Sequence, residues 1–336
     1  MNASRNYWNN VKGLLMSLVV IGHFIQVYFE KSGSHNYYFL QTILCFIYYF
    51  HMPLFVFVSG YFSKNYEKRR SRAFEDLLIP YFIAQFLWLL YQGIFNHSFD
   101  VIKNIFYPQF SLWYLLALFI WRILLPDLIK IRGILPVSVL LYVFGMFCTG
   151  INNNFAMQRA IGFLIFFLLG YFASENNINK IKKIPAWIVS CCVVLAFIGT
   201  FVILRKEIIS FSTLFSVLTH GMYITSFENW GVGIIAYIIA FLSACILSIA
   251  ILRLMHNRKG KLYIIGENTL PLYISHGFIV HIFNSWYSHI QLQNEIQRGG
   301  ILLLLSIITI ICFSCDAYRK IFISIFAKIK KMCLMF

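Results

Sequence analysis

Lys12 and His23 stand eleven residues apart in K-G-L-L-M-S-L-V-V-I-G-H, joined by an almost unbroken apolar run. Eleven residues is about three helical turns, so on a helix both side chains share one face, roughly 16 Å apart along the axis. A second histidine, His51, lies in F-H-M-P-L-F-V-F-V-S-G-Y-F, and a third, His276, in N-T-L-P-L-Y-I-S-H. An imidazole in an apolar segment is costly unless it faces a cavity or a partner, so three of them point to a polar interior. Neutral imidazole, with an ordinary pKa of about 6.5, can take a proton from a hydroxyl or attack a carbonyl itself. The competing readings are hydrogen bonding between helices without catalysis, and metal ligation. The second lacks both an H-x-x-x-H spacing and an acidic partner, and no metal site is assigned.

The elements that must position these groups are membrane helices. The chain has 336 residues, of which 60% are hydrophobic and only 12% charged, and apolar runs of spanning length recur from end to end. Ten spans can be drawn, at 11–29, 37–62, 77–95, 111–129, 134–150, 158–173, 185–204, 232–255, 269–287 and 299–323. The stretch 208–228, rich in Ser and Thr and carrying His220 and Gly221, reads as a loop or re-entrant segment. With the N-terminus in the cytoplasm, the basic clusters at 64–72, 180–183, 253–261 and 319–331 all fall inside, as the positive-inside rule requires. The expected fold is therefore all-α: a polytopic transmembrane helical bundle of about ten spans, both termini cytoplasmic, forming a single domain over residues 1–336.

That topology also accounts for the net charge of +16, which needs contact with anionic membrane lipid and no nucleic-acid partner. The cysteines lie mostly within spans and suggest no disulfide framework. Cys312 and Cys315 form a C-x-x-C without His or acidic neighbours. The first span resembles a signal peptide in length, but it carries the ionisable pair and is expected to be retained. Lys12 falls at the cytoplasmic boundary, where its stem can reach head groups or a phosphate. His23 and His51 fall at one depth by counting residues along their helices, with Pro53 kinking the second helix beside His51. His276 lies about seven residues from the cytoplasmic side, counted along its span.

Four segments together resemble the bacterial integral-membrane acyltransferase family 3. Lys12 and His23 match its R/K-x10-H. The segment F-H-M-P-L-F-V-F-V-S-G-Y-F is similar to that of its second helix, including His51, Pro53, Ser59 and Gly60. S-L-W-Y-L at 111–115 is similar to its L-W-F-L, and N-T-L-P-L-Y-I-S-H to its S-x-x-L-Y-x-x-H. Arg69 and Arg72 supply an R-x-x-R ahead of L-L-I-P-Y, with Glu75 and Asp76 where the family pattern carries basic or neutral residues.

The resemblance implies a stand-alone sugar O-acetylase-like enzyme of the bacterial cytoplasmic membrane. Acetyl-CoA would be the donor on the cytoplasmic face, and a hydroxyl of an envelope glycan or lipid-linked sugar the acceptor. His23 is then the expected base or transient acyl carrier, with His51 and His276 orienting or polarising. The loop 64–72, the densest basic cluster before the tail, is expected to hold the CoA phosphates through Arg69 and Arg72, with Lys12 on the same membrane face. Trp113, Tyr61, Tyr114 and Tyr273 could stack on sugar rings or simply pack. A transporter or flippase using the histidines as a proton relay is the alternative. It would want internal repeats and mid-membrane acids, which the sequence does not show.

Overall fold

The computed structural model describes residues 2–32, 37–96, 107–148, 151, 154–219, 229–287 and 294–333, and their regular structure is entirely helical. In chain order come α1 Asn2–Ser32, α2 Tyr38–Tyr61, a short α3 Tyr66–Ser71, and a π-helical segment Phe74–Leu78 running straight into α4 Ile79–Asn96. Next are α5 Trp113–Leu128, α6 Ile134–Phe147, a 3₁₀ turn Asn154–Ala156, α7 Met157–Phe172 and α8 Glu175–Lys182. Then follow α9 Ala186–Arg205, α10 Phe211–Leu218, α11 Trp230–Leu254 and α12 Lys261–Glu267. The described chain ends with α13 Thr269–Tyr287, α14 Glu295–Ser314 and α15 Asp316–Cys333.

A helix coincides with each of the ten expected spans. Seven stretches are long and apolar enough to cross a bilayer: Ser4–Glu30, Tyr38–Tyr61, Phe74–Phe95, Asn154–Phe172, Ala186–Arg205, Trp230–Leu254 and Glu295–Ser314. Of the other three, α6 and the apolar part of α13 are shorter, and the 16-residue α5 carries Arg122 and Asp127. The last span differs from its expected limits of 299–323. The helix stops at Ser314 because Cys315 is extended (φ −71°, ψ 150°), and α15 restarts at Asp316, whose carboxylate meets Arg319 at 3.4 Å. Within 208–228, α10 has eight residues and rises only about 12 Å, too little to span. Residues 220–228, with His220 and Gly221, lie outside the described residues.

Two compact units make up the chain. The first comprises residues 1–55, 174–221 and 227–322. At its centre α1 packs on α12, α13 and α14. Two glycines set how closely α1 and α12 cross. A Cβ on Gly13 would lie 1.9 Å from the Leu262 carbonyl oxygen, and one on Gly266 would lie 1.9 Å from that of Asn9. Small residues facing each other let two helix backbones touch where no hydrophobic gradient drives them together. The N-terminal turns of α1 are then tied to the last turn of α11 and to the chain that follows it. The Tyr7 hydroxyl donates to the Leu252 carbonyl (2.6 Å), and the Asn10 amide donates to those of His256 and Arg258 (both 2.8 Å).

The second unit comprises residues 56–173, 222–226 and 323–336. The same device recurs there. A Cβ on Gly60 would meet the Phe167 carbonyl oxygen at 1.9 Å, and one on Gly170 would meet that of Phe57 at 1.9 Å, locking the last turns of α2 to α7. Gly60 is thus needed for a close approach of two backbones. α5 lies against α7 through two stacked aromatic pairs, Trp113 on Phe163 (ring centroids 5.2 Å apart) and Trp121 on Phe167 (5.3 Å). Trp121 also donates its indole N–H to the Ala160 carbonyl at 2.9 Å, so its one polar atom is satisfied while buried. α3 and the π-helical segment pack on the same α5.

Candidate active site

His23, on α1, and His276, on α13, are brought together within the first unit. His23 Nδ1 lies 2.8 Å from His276 Nε2, and the two rings are parallel to within 6°. His276 is fully buried and its Nδ1 lies 3.0 Å from the Leu272 carbonyl, one helical turn back. A carbonyl oxygen can only accept, so His276 Nδ1 carries a hydrogen. When both rings are neutral, His276 Nε2 must then accept from His23 Nδ1–H. The chain of assignments leaves the base lone pair of His23 on Nε2. His23 is only half-buried, so of the pair it is the ring a substrate can reach.

His51 is also buried and donates Nδ1–H to the Ile47 carbonyl at 2.8 Å, which fixes its neutral tautomer in the same way. The Tyr48 ring packs edge-on against it, with centroids 4.6 Å apart, and the Tyr48 hydroxyl hydrogen-bonds to Gln26 of α1. Gln26 in turn donates to Glu30 at 2.7 Å. Depth alone makes His51 the partner of His23, whereas the observed hydrogen-bond partner is His276. His51 reaches α1 through Tyr48 and Gln26. These connecting residues were missed by the sequence reading, yet a signal exists. Gln26 and Glu30 follow His23 at i+3 and i+7 and so continue its face of α1.

Lys12 is half-buried on α1, in the field of Glu267 and Arg5, and among the described residues it makes no hydrogen bond or ion pair. Glu267 is occupied elsewhere, accepting from Arg5 at 2.7 Å and from the Tyr263 hydroxyl at 2.6 Å. Burial works to raise the Glu267 carboxyl, but those two donors hold it below the ordinary carboxylate range.

Arg69 and Arg72 lie in the second unit. Arg69 donates Nε–H to the Phe62 carbonyl at 3.2 Å, and Arg72 makes a loose ion pair with Asp76, one turn on, at 3.5 Å. Glu75 pairs with Lys330 at 2.6 Å. The two acids that depart from the family pattern therefore each serve a local ion pair at the π-helical segment. Ser59 and Tyr114, both within motif segments, share a hydrogen bond of 2.5 Å. The aromatic candidates are engaged as well: Trp113 stacks on Phe163, Tyr273 is buried near His276, and Lys64 sits 4.2 Å over the Tyr61 ring.

An imidazole pair set between two helices of a membrane bundle marks a candidate functional site, because ionisable groups are costly there. Residues 5–317 match the family described as Acyltransferase domain, and the chain belongs to that family. Among curated proteins it is similar to the Nodulation protein NolL of Sinorhizobium fredii, 36% identical over 80 residues, which is 23% of this chain and 21% of that protein. It is also similar to the Nodulation protein NolL of Mesorhizobium japonicum, 38% identical over 84 residues, 23% of this chain and 22% of that protein. Each match thus covers about a fifth of the relative's length. No solved structure is significantly similar.

Proposed function

We propose that this membrane protein is an O-acyltransferase that carries an acetyl group from cytoplasmic acetyl-CoA to a hydroxyl of a cell-envelope glycan. The observation that carries the reading is the His23–His276 pair, in a chain whose family is the Acyltransferase domain. A sugar hydroxyl is a poor nucleophile and must lose its proton as it attacks. His23 Nε2 takes that proton while the hydroxyl oxygen adds to the thioester carbonyl. The C–S bond then breaks, and the leaving thiolate recovers the proton from the imidazolium. The Nδ1–H of His23 points at His276 Nε2 throughout, so the ring keeps its orientation and its new positive charge meets an acceptor. The same lone pair would serve if His23 first takes the acetyl group as an acyl-imidazole and passes it on.

Donor binding is assigned to Arg69 and Arg72 of the loop 64–72. A nucleotide thioester carries several phosphate charges, and guanidinium groups meet phosphate through paired hydrogen bonds. The site in this account lies in the bacterial cytoplasmic membrane, crossed about ten times with both ends inside. The test is chemical. Envelope polysaccharide from a strain with the gene deleted should lack base-labile acetyl esters that the parent strain carries and that the restored gene returns. Identical acetyl content in both strains would refute the reading.

A further inference from the structure

Arg122 lies inside the apolar helix α5, one residue after the buried Trp121. Its Nε is shielded from solvent and has no hydrogen-bond partner among the described residues. Its side chain lies in the field of Tyr114, Arg69 and Asp76, all of the same unit. Tyr114 is hydrogen-bonded to Ser59, and Asp76 is shared with Arg72 at 3.5 Å. Packing brings this about: α3, which carries Arg69, and the π-helical segment, which carries Asp76, both rest on α5. The result is a half-buried Arg122 guanidinium in the field of a second one, Arg69, while the carboxylate in the same field, Asp76, is already engaged by Arg72.

Such an arrangement is unfavourable by itself. Like charges repel more strongly as water is withdrawn, and a shielded guanidinium N–H without an acceptor forfeits its hydration. An anion with several acceptor oxygens relieves both, and phosphate fits the planar, many-donor guanidinium. The π-helical segment adds an independent indication, since such bulges inside helices recur at functional sites.

We infer that Arg122 forms, together with Arg69, a phosphate-binding site in the second unit, and that the phosphate is one from the nucleotide of the acyl donor. The inference rests on the acetyl-CoA reading above and extends it to a residue outside every motif of the chain. Arg122 enters from α5, where its neighbour Trp121 stacks on Phe167, so it offers a contact from a helix held in place by packing.

The test is binding of two probes to purified, detergent-solubilised full-length protein: acetyl-CoA, and S-acetyl-pantetheine, which carries the same thioester without phosphate. Arg122→Gln should raise the Kd for acetyl-CoA tenfold or more and leave that for S-acetyl-pantetheine unchanged. Arg122→Lys should fall between wild type and Arg122→Gln, and it decides the matter if Arg122→Gln does not fold. Wild-type affinity for acetyl-CoA in the folded variants overturns the inference. So does equal weakening of both probes, which marks a structural role. Phospholipid retained by wild type and variant, measured by mass spectrometry, separates the other source of phosphate. Loss of anionic lipid from Arg122→Gln with acetyl-CoA affinity intact assigns the arginine to a lipid headgroup and overturns the inference. Wild-type protein that binds no acetyl-CoA at all fails the donor reading itself, and this inference with it.

Discussion

At the level of single residues, the reactivity of His23 depends on which ring nitrogen holds which hydrogen. His276, anchored by the Leu272 carbonyl, exists to accept from His23 Nδ1–H and so to keep the His23 lone pair on Nε2. His276→Phe keeps a ring in the buried space but removes the acceptor, and should slow acyl transfer about tenfold or more through loss of tautomer and orientation. In a His23→Ala background the same change should cost nothing further, because residues acting as one unit are not additive. Additive losses measured in that double-mutant cycle would separate the two rings functionally. The loop arginines carry a second prediction. Arg69→Ala or Arg72→Ala should weaken acetyl-CoA binding by about 1.5–3 kcal/mol per lost charge-assisted contact, with lysine restoring only part. Arg72 is exposed and its pair with Asp76 is long, so its removal should leave thermal stability nearly unchanged. Calorimetric titration and a melting curve on the same samples check both statements.

At the level of helices, sequence and structure part in an instructive way. The spacing of Lys12 and His23 placed both on one helix face, and the motifs around His51 and His276 placed each on a helix, as found. Counting residues along two helices gives depth, and depth made His51 the partner of His23. It does not say which helices are neighbours. α1 packs on α13, so the ring that arrives at 2.8 Å is His276. The reciprocal glycines were equally hidden, because Gly13 and Gly266 acquire their meaning only when two backbones cross at contact distance. Gly266→Ala would drive a methyl group into the Asn9 carbonyl of α1, and overpacking of this kind costs about 1–3 kcal/mol or more. Much less folded protein should survive purification, and the melting temperature of what remains should drop. Gly199→Ala, in α9, meets nothing within 4 Å and serves as the control that should match wild type or exceed it. Equal melting temperatures for the two variants would contradict the role given to the α1–α12 crossing.

At the level of the whole molecule, composition sufficed to read an all-helical membrane protein, and the family match over residues 5–317 agrees with the motifs that suggested it. The expected last span, 299–323, runs across Asp316, Arg319 and Lys320, and the extended backbone at Cys315 ends α14 just before these charges. The proposed topology keeps the basic tail, with Arg319, Lys320, Lys328, Lys330 and Lys331, in the cytoplasm. A C-terminal fusion to a reporter that folds only outside the cytoplasm should therefore stay inactive, and an active fusion would contradict the topology. The central claim, that His23 drives acetyl transfer from acetyl-CoA to a glycan hydroxyl, is tested most directly with purified protein in proteoliposomes. Labelled acetyl-CoA and deacetylated envelope polysaccharide are supplied, and label in base-labile ester is measured. Wild-type protein should transfer the label, and His23→Ala, inserted to the same level, should be slower by about 10²–10⁴-fold. Ester formation by His23→Ala at the wild-type rate would contradict the account.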